Sequence, residues 1–490
     1  GLVKDGPPIH NFCSSSAEGL DLHGSVFSRL FREVPDLGGL ILIVGGESYY
    51  HCFMRPDRTS LAAGEKTNCP HCVGHQPEVV VAGLLAATAD AVHDVAPDAL
   101  ILAWPYSAHV WSGEPDQTEL VRQLPGGVGL LTEIDKDAWV TKDGYRKRIW
   151  DYSVDFTGPS DRASAQAAIV REQGNRLAIK TETALGLECT QVPYVPALNR
   201  LGEKWANVAA LQPEAVLQSW MFFGMWGSRA EELGWWANWR AEVPLDDALR
   251  QMAERDFGAH TEAALSAWDA MSEAAGRLPY IPPYFHGPEF IGPCHPLPLD
   301  SAIPSPERYS AALYYLQENE ATFATTAKEI RHSLLVEELP AHPRAHAFEV
   351  GDGRDAWSVV LAEWEACVAA AARAYRALRD ITAVDDAVAE ELAITEWLYR
   401  TWRTTLNTLR VLLARKDGEA LPSAARGDAI RAVMDDELPN AQAARRIVRE
   451  HPWLNLRLRM DGDYPDSLRM LDEKIALLEA SMRGARQTAD

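Results

Sequence analysis

Five short apolar runs, separated by longer amphipathic stretches, constrain this chain more than anything else in its 490 residues. The runs are Gly39–Val44, Ala99–Trp104, Val128–Thr132, Leu177–Thr181 and Ala215–Trp220. Each has the length of a strand. Between them, Pro77–Val95 and Arg162–Gln173 carry apolar residues at helical spacing. The segment Ile41–Val44 is apolar at every position, so it needs cover on both faces, which a parallel sheet flanked by helices provides. Strands alternating with helices predict parallel βα units, and hence an α/β fold of the (β/α) TIM-barrel type.

Past about residue 240 the pattern changes. Asp246–Met271 reads as one helix, and a Pro-rich bend follows at Leu278–Tyr284. Trp357–Ile381, Ala389–Arg415 and Ser467–Ala480 then show three- and four-residue apolar spacing. The expected organisation is a barrel region over 1–240, a helix and Gly/Pro-rich loop over 241–304, and a mostly α-helical domain over 305–490. Eight strands close such a barrel. The runs supply five, and Ile9–Cys13 offers a short sixth before a helix near Gly24–Arg32. The first strands are therefore expected upstream of Gly1.

Composition excludes some functions. A formal net charge of -23 repels phosphates and argues against nucleic-acid binding. No apolar run reaches the roughly 18–20 residues of a membrane-spanning helix. No secretory signal stands at Gly1, and the seven cysteines form no small disulfide framework, so a reducing, cytoplasmic setting is expected unless an export signal has been removed. The sixteen tryptophans suit the flat C–H faces of sugars as well as an ordinary core, and composition does not separate the two. Oligomeric state is left open.

Barrel enzymes carry their chemistry at the C-terminal strand ends. Here those ends read Gly45-Gly46-Glu47-Ser48-Tyr49-Tyr50-His51, Trp104-Pro105-Tyr106, Glu133-Ile134-Asp135, Lys180-Thr181-Glu182 and Ser219-Trp220. Glu recurs at three of them. Glycosidic cleavage needs two carboxyl groups, one to protonate the leaving oxygen and one to attack the anomeric carbon or activate water. Glu47, with aromatic rings following it, suits the acid. Glu182 shares a strand face with Lys180 and Ala178, so the ammonium favours an ionised nucleophile or base. Glu133 is the reserve for the second role, although Asp135 and Lys136 beside it also read as a solvated charge run. A lone glutamate here is as readily a helix cap or a surface ion-pair partner. Trp104, Tyr106, Tyr49, Lys180 and Trp220 are candidate substrate contacts. So is His286, in a Gly/Pro/aromatic loop from Tyr284 to His295 that either closes over a sugar or links domains.

Gly45-Gly46-Glu47 after an apolar strand resembles the Gly-Gly-Asp-Glu segment of glycoside hydrolase family 20, in which the Glu is the general acid. Ser219-Trp220 resembles that family's pocket tryptophan. Asp151-Tyr152-Ser153, Gly158-Pro159 and Pro193-Tyr194-Val195-Pro196 resemble segments of barrel hydrolases related to families 20 and 163. If the last run is the eighth strand, Glu47 and Glu182 stand on the fourth and seventh, as acid/base and nucleophile do in the wider retaining-barrel clan. The resemblance covers roughly residues 10–240. It implies a glycoside hydrolase acting on an oligosaccharide or glycoconjugate. One departure matters: Gly46 replaces the Asp that assists the acetamido group in family 20, which argues against the substrate-assisted mechanism.

A second cluster is Cys52 with Cys69-Pro70-His71-Cys72. Cys-x-x-Cys brings two sulfurs to one metal, and Cys52 or Cys13 could add another, giving a structural zinc site. A disulfide or free thiols are the alternatives. Apart from possible zinc, no cofactor is implied. Two further functional classes remain: a non-catalytic carbohydrate-binding or interaction scaffold, and a zinc-dependent hydrolase with His51 at an open metal.

Overall fold

In the computed structural model, strands β1 (Gly39–Ile43), β2 (Leu100–Trp104), β3 (Val128–Glu133), β6 (Leu177–Lys180) and β7 (Ala215–Leu217) form one sheet in the order β1-β2-β3-β6-β7, every pair parallel. The residues described are 12–45, 50–54, 56, 60–142, 144–149, 153–182, 192–218, 227–279, 292–299, 348–351, 354–381, 386–416, 423–454 and 466–487. All five apolar runs become strands. Of the sixth, 9–11 lie outside the described residues, and Phe12 and Cys13 are not strand. The sheet is a half-barrel with β1 and β7 as its edges, and among the described residues no closed eight-stranded barrel forms.

The connections are helices α1 (Ala17–Glu33), α2 (Pro77–His93), α3 (Thr118–Arg122), α4 (Asp161–Gln173) and α5 (Leu198–Ala210). Ser16 and Ser160 cap α1 and α4 by accepting the Gly19 and Ala163 N–H, which satisfies one orphan donor at each helix start. The helices cover one face of the sheet. Ile101, Ala103, Leu130, Leu177 and Ile179 pack there against Leu85, Val121, Val170 and Leu201 in the main core.

The opposite, concave face carries Leu102, Trp104, Leu131 and Ala178. An antiparallel hairpin, β4 (Ala138–Lys142) and β5 (Tyr145–Ile149), lies against part of it through Ala138 and Ile149. The rest of that face is a hollow of about 280 Å³ lined by Leu40, Leu100, Leu102, Leu131, Ala178 and Leu217. Centre strands β3 and β6 are buried throughout, whereas edge strand β1 leaves Ile41 45% exposed.

Helices α6 (Arg229–Trp239), α7 (Leu245–Phe257) and α8 (Thr261–Arg277) follow. The single helix expected over Asp246–Met271 is two, broken at Gly258 in a left-handed conformation with φ +53°. Strand β8 (Phe348–Val350) pairs with β5, so the expected helical region returns one strand to the hairpin, not to the half-barrel. Helices α9 (Ala356–Arg379), α10 (Asp386–Lys416), α11 (Ser423–Glu450) and α12 (Ser467–Gln487) complete the described chain, and no helix among the described residues is long and apolar enough to cross a membrane.

Candidate functional site

The strand ends are held in register beyond the strands themselves. The Ile134 N–H donates to Lys180 O at 3.1 Å, Thr181 N–H to Leu217 O at 3.0 Å, and Val44 N–H to Trp104 O at 3.0 Å. Glu133 and Lys180 are direct neighbours across the β3–β6 ladder. Side chains alternate along a strand, so Glu133 points to the concave side with Leu131, and Lys180 and Glu182 with Ala178.

Three carboxylates there are fully buried, and each faces a cation. Glu133 accepts the Trp104 indole N–H at 2.7 Å and Arg162 Nη1 at 2.9 Å. Arg162 is oriented in turn by Gln117, at 2.8 Å. Glu182 Oε1 lies 2.7 Å from Lys180 Nζ, and both side chains are buried. Asp135 accepts Lys204 Nζ at 2.9 Å and the Ser153 N–H at 3.1 Å. Burial alone would raise the Asp135 carboxyl, but the ammonium groups of Lys204 and Lys180 outweigh it and hold the group below the usual carboxylate range. Lys136 is buried with its Nζ 5.2 Å from the centre of the Tyr106 ring, which is itself 5.2 Å from the Trp104 ring.

The solvated charge run considered for Glu133, Asp135 and Lys136 is thus overturned: helices α4 and α5 bring Arg162 and Lys204 over these groups and exclude water. Trp104 has no exposed face, and its indole positions Glu133. Glu47, Tyr49, Trp220 and His286 lie outside the described residues. Arg162 and Lys204 were not foreseen, yet both leave a signal. Arg162 occupies the first turn of α4, where the helix dipole disfavours a cation. Lys204 falls on the apolar stripe of α5 with Leu201, Trp205 and Val208. A charge in either place points to a buried partner.

A cavity of about 590 Å³ lies elsewhere, between residues 64–78 and 111–119, lined by Glu78, Glu114 and Trp111 among others. Its acids serve their own loops. Glu78 accepts from Ser112 Oγ and the Gly113 N–H, and Glu114 from Thr118 and the Glu119 N–H. The strand-end cluster is the better candidate for chemistry because its charges converge and are dry.

Beside β1, the sulfurs of Cys13, Cys52, Cys69 and Cys72 lie within 4.8 Å of one another, none in a disulfide. His51 is not among them. Its Nε2 bonds Val44 O at 3.0 Å and its Nδ1 accepts the Phe53 N–H at 3.2 Å, so neither nitrogen is left for a metal.

No known family's sequence profile matches the chain, and no curated protein does. Among solved structures it is similar to one described as a GH138 enzyme targeting pectin rhamnogalacturonan II, with a TM-score of 0.51 and 9% sequence identity. The likeness takes in 98% of this chain and 66% of that one, so the chain spans just under two thirds of its neighbour's length. What the two share is the fold. Families 20 and 163 are not singled out by any match.

Proposed function

We propose that the chain acts as a glycoside hydrolase that cleaves an oligosaccharide or glycoconjugate with two carboxyl groups. The observation that carries this reading is the convergence of buried Glu133 and the Lys180–Glu182 pair at the ends of adjacent parallel strands, in a fold shared with a GH138 enzyme. Lys180 Nζ, 2.7 Å from Glu182 Oε1, fixes the orientation of that carboxyl group, as a nucleophile requires. Glu47, at the end of β1, is the assigned acid. In the retaining scheme Glu182 attacks the anomeric carbon as Glu47 protonates the departing oxygen. Water then breaks the glycosyl–Glu182 bond, with Glu47 now taking the proton. Glu133, clamped by Trp104 and Arg162, is the reserve for the second carboxylate role and otherwise anchors the cluster. The absence of the family-20 Asp at Gly46 favours attack by the protein over attack by a substrate acetamide.

The test is turnover of a panel of aryl glycosides and pectic oligosaccharides, rhamnogalacturonan II fragments included, by wild type and by Glu47→Gln, Glu133→Gln and Glu182→Gln. Loss of about 10²–10⁴-fold is expected for Glu47→Gln, and a comparable or larger loss for Glu182→Gln. A first-formed product with the substrate's anomeric configuration supports retention. Wild-type rates in both the Glu47→Gln and Glu182→Gln variants would sink the assignment. A folded wild type that binds these sugars and cleaves none would favour the carbohydrate-binding scaffold.

A further inference from the structure

The four sulfurs beside β1 come from three distant parts of the chain. Cys13 precedes α1, Cys52 follows β1, and Cys69 and Cys72 lie later in the same long connection. Cys13 Sγ is 3.6 Å from Cys72 Sγ and 3.5 Å from Cys69 Sγ. Zinc bound by four thiolates at about 2.3 Å sets the sulfurs at tetrahedron edges of about 3.8 Å. The observed spacings are close to that and far longer than the roughly 2.05 Å of a disulfide bond. Bare thiols have no reason to gather four to a point, whereas thiolates around a dication do.

The surroundings fit as well. Cys69 and Cys72 sit on a tight turn in which Cys72 N–H and Val73 N–H both donate to Cys69 O, at 3.1 and 2.9 Å, which points the two sulfurs the same way. The Ser14 N–H donates to Cys52 Sγ at 3.3 Å, and Ser15 Oγ lies 3.1 Å from Cys72 Sγ. Hydrogen bonds of this kind orient ligating sulfurs and offset their charge. His71 and His75 are exposed.

We infer that Cys13, Cys52, Cys69 and Cys72 bind one zinc ion in a closed tetrathiolate site that fastens the start of α1 to the connection after β1. Four sulfurs leave no position for water or substrate, so the ion is structural and takes no part in catalysis. Its effect reaches the strand end through the backbone. Residues 50–54 are tied back to β1 by the His51–Val44 bond, and Trp111 Nε1 donates to Val44 O and Gly45 O at 3.1 and 3.2 Å. The clasp therefore steadies both flanks of the segment that carries Glu47. The inference does not depend on the proposed activity, since zinc content is read without any substrate.

The experiment uses the full chain purified under reducing conditions. Elemental analysis is expected to give about one zinc per chain. Cobalt exchanged for zinc is expected to show the intense visible bands of tetrahedral coordination together with a sulfur-to-cobalt charge-transfer band. Cys13→Ser and Cys52→Ser should lose that spectrum, and Cys367→Ala, remote from the cluster, should keep it. If the serine variants fail to fold, native mass spectrometry of the wild type still decides, because a bound zinc adds its mass to a chain with all thiols reduced. A zinc-free chain with free thiols, a mass lower by pairs of hydrogens that reveals disulfides, or a weak octahedral cobalt spectrum would each overturn the site.

Discussion

Glu133 takes its two donors from Trp104, 29 residues before it, and from Arg162, 29 residues after it. Local sequence around Glu133 shows only a charged cluster, which is why its burial was not legible there. The Lys180–Glu182 pair was legible, because both partners stand two apart on one strand face. His295 shows the same contrast for titration. It stands at the end of a Gly/Pro-rich stretch, and it proves fully buried. Burial first, and the Lys474 ammonium second, push its imidazole down to about 3. The folded value lies below the unfolded value of about 6.5, so the unfolded chain takes up the proton first. His295 therefore costs nothing above pH ~6.5, and stability falls as pH drops from there toward 3. Urea midpoints at pH 7 and pH 5 should differ less in His295→Leu than in wild type. Equal differences would show that the ring is protonated freely in the native state.

At the scale of elements, the half-barrel strands announce themselves because parallel strands covered on one face by helices and crowded on the other are apolar nearly throughout. The β4–β5 hairpin stands outside the five runs, although Asp143-Gly144 between alternating residues is a strong hairpin signal. Its second strand holds Arg146, Lys147 and Arg148, which reads as a solvated run. Yet Lys147 is buried in an ion pair with Asp155, a partner supplied by tertiary structure. Glycines in helices carry a similar double meaning. A Cβ on Gly19 of α1 would lie 1.9 Å from Cys13 O, a backbone atom that cannot yield without moving Cys13 itself. A Cβ on Gly83 of α2 meets nothing within 4 Å, and the site is exposed. Gly83→Ala should stabilise by about 0.5–1 kcal/mol through helix propensity. Gly19→Ala should instead destabilise by about 1–3 kcal/mol by overpacking. Urea denaturation of the two variants checks this, and a neutral or stabilising Gly19→Ala would contradict the tight approach of α1 to Cys13.

The two halves of the molecule meet on one carboxylate. Glu391 of α10 is fully buried and accepts Arg229 Nη1 of α6 at 2.8 Å, the Trp268 indole N–H of α8 at 2.6 Å, and the Tyr194 hydroxyl from the segment before α5. Arg229 also holds Asp256 of α7 at 2.9 Å, and its guanidinium lies 5.1 Å from the centre of the Phe257 ring. Nothing in the periodicity of 386–416 predicts this, because Glu391 stands among apolar residues and is matched only when five elements assemble. Breaking a buried ion pair from one side leaves the other charge dry and unmatched, which costs about 3–5 kcal/mol, and Asp256 keeps the expected loss toward the lower figure. Glu391→Leu should therefore destabilise the chain by about 3 kcal/mol. Arg229→Met should cost a similar amount for the mirror-image reason. The double variant buries no unpaired member of the couple, so its loss should fall short of the sum by at least about 1 kcal/mol. Denaturation of the four proteins, followed by tryptophan fluorescence and by far-ultraviolet dichroism, measures that coupling. Strict additivity would mean that Glu391 and Arg229 are each satisfied independently of the other.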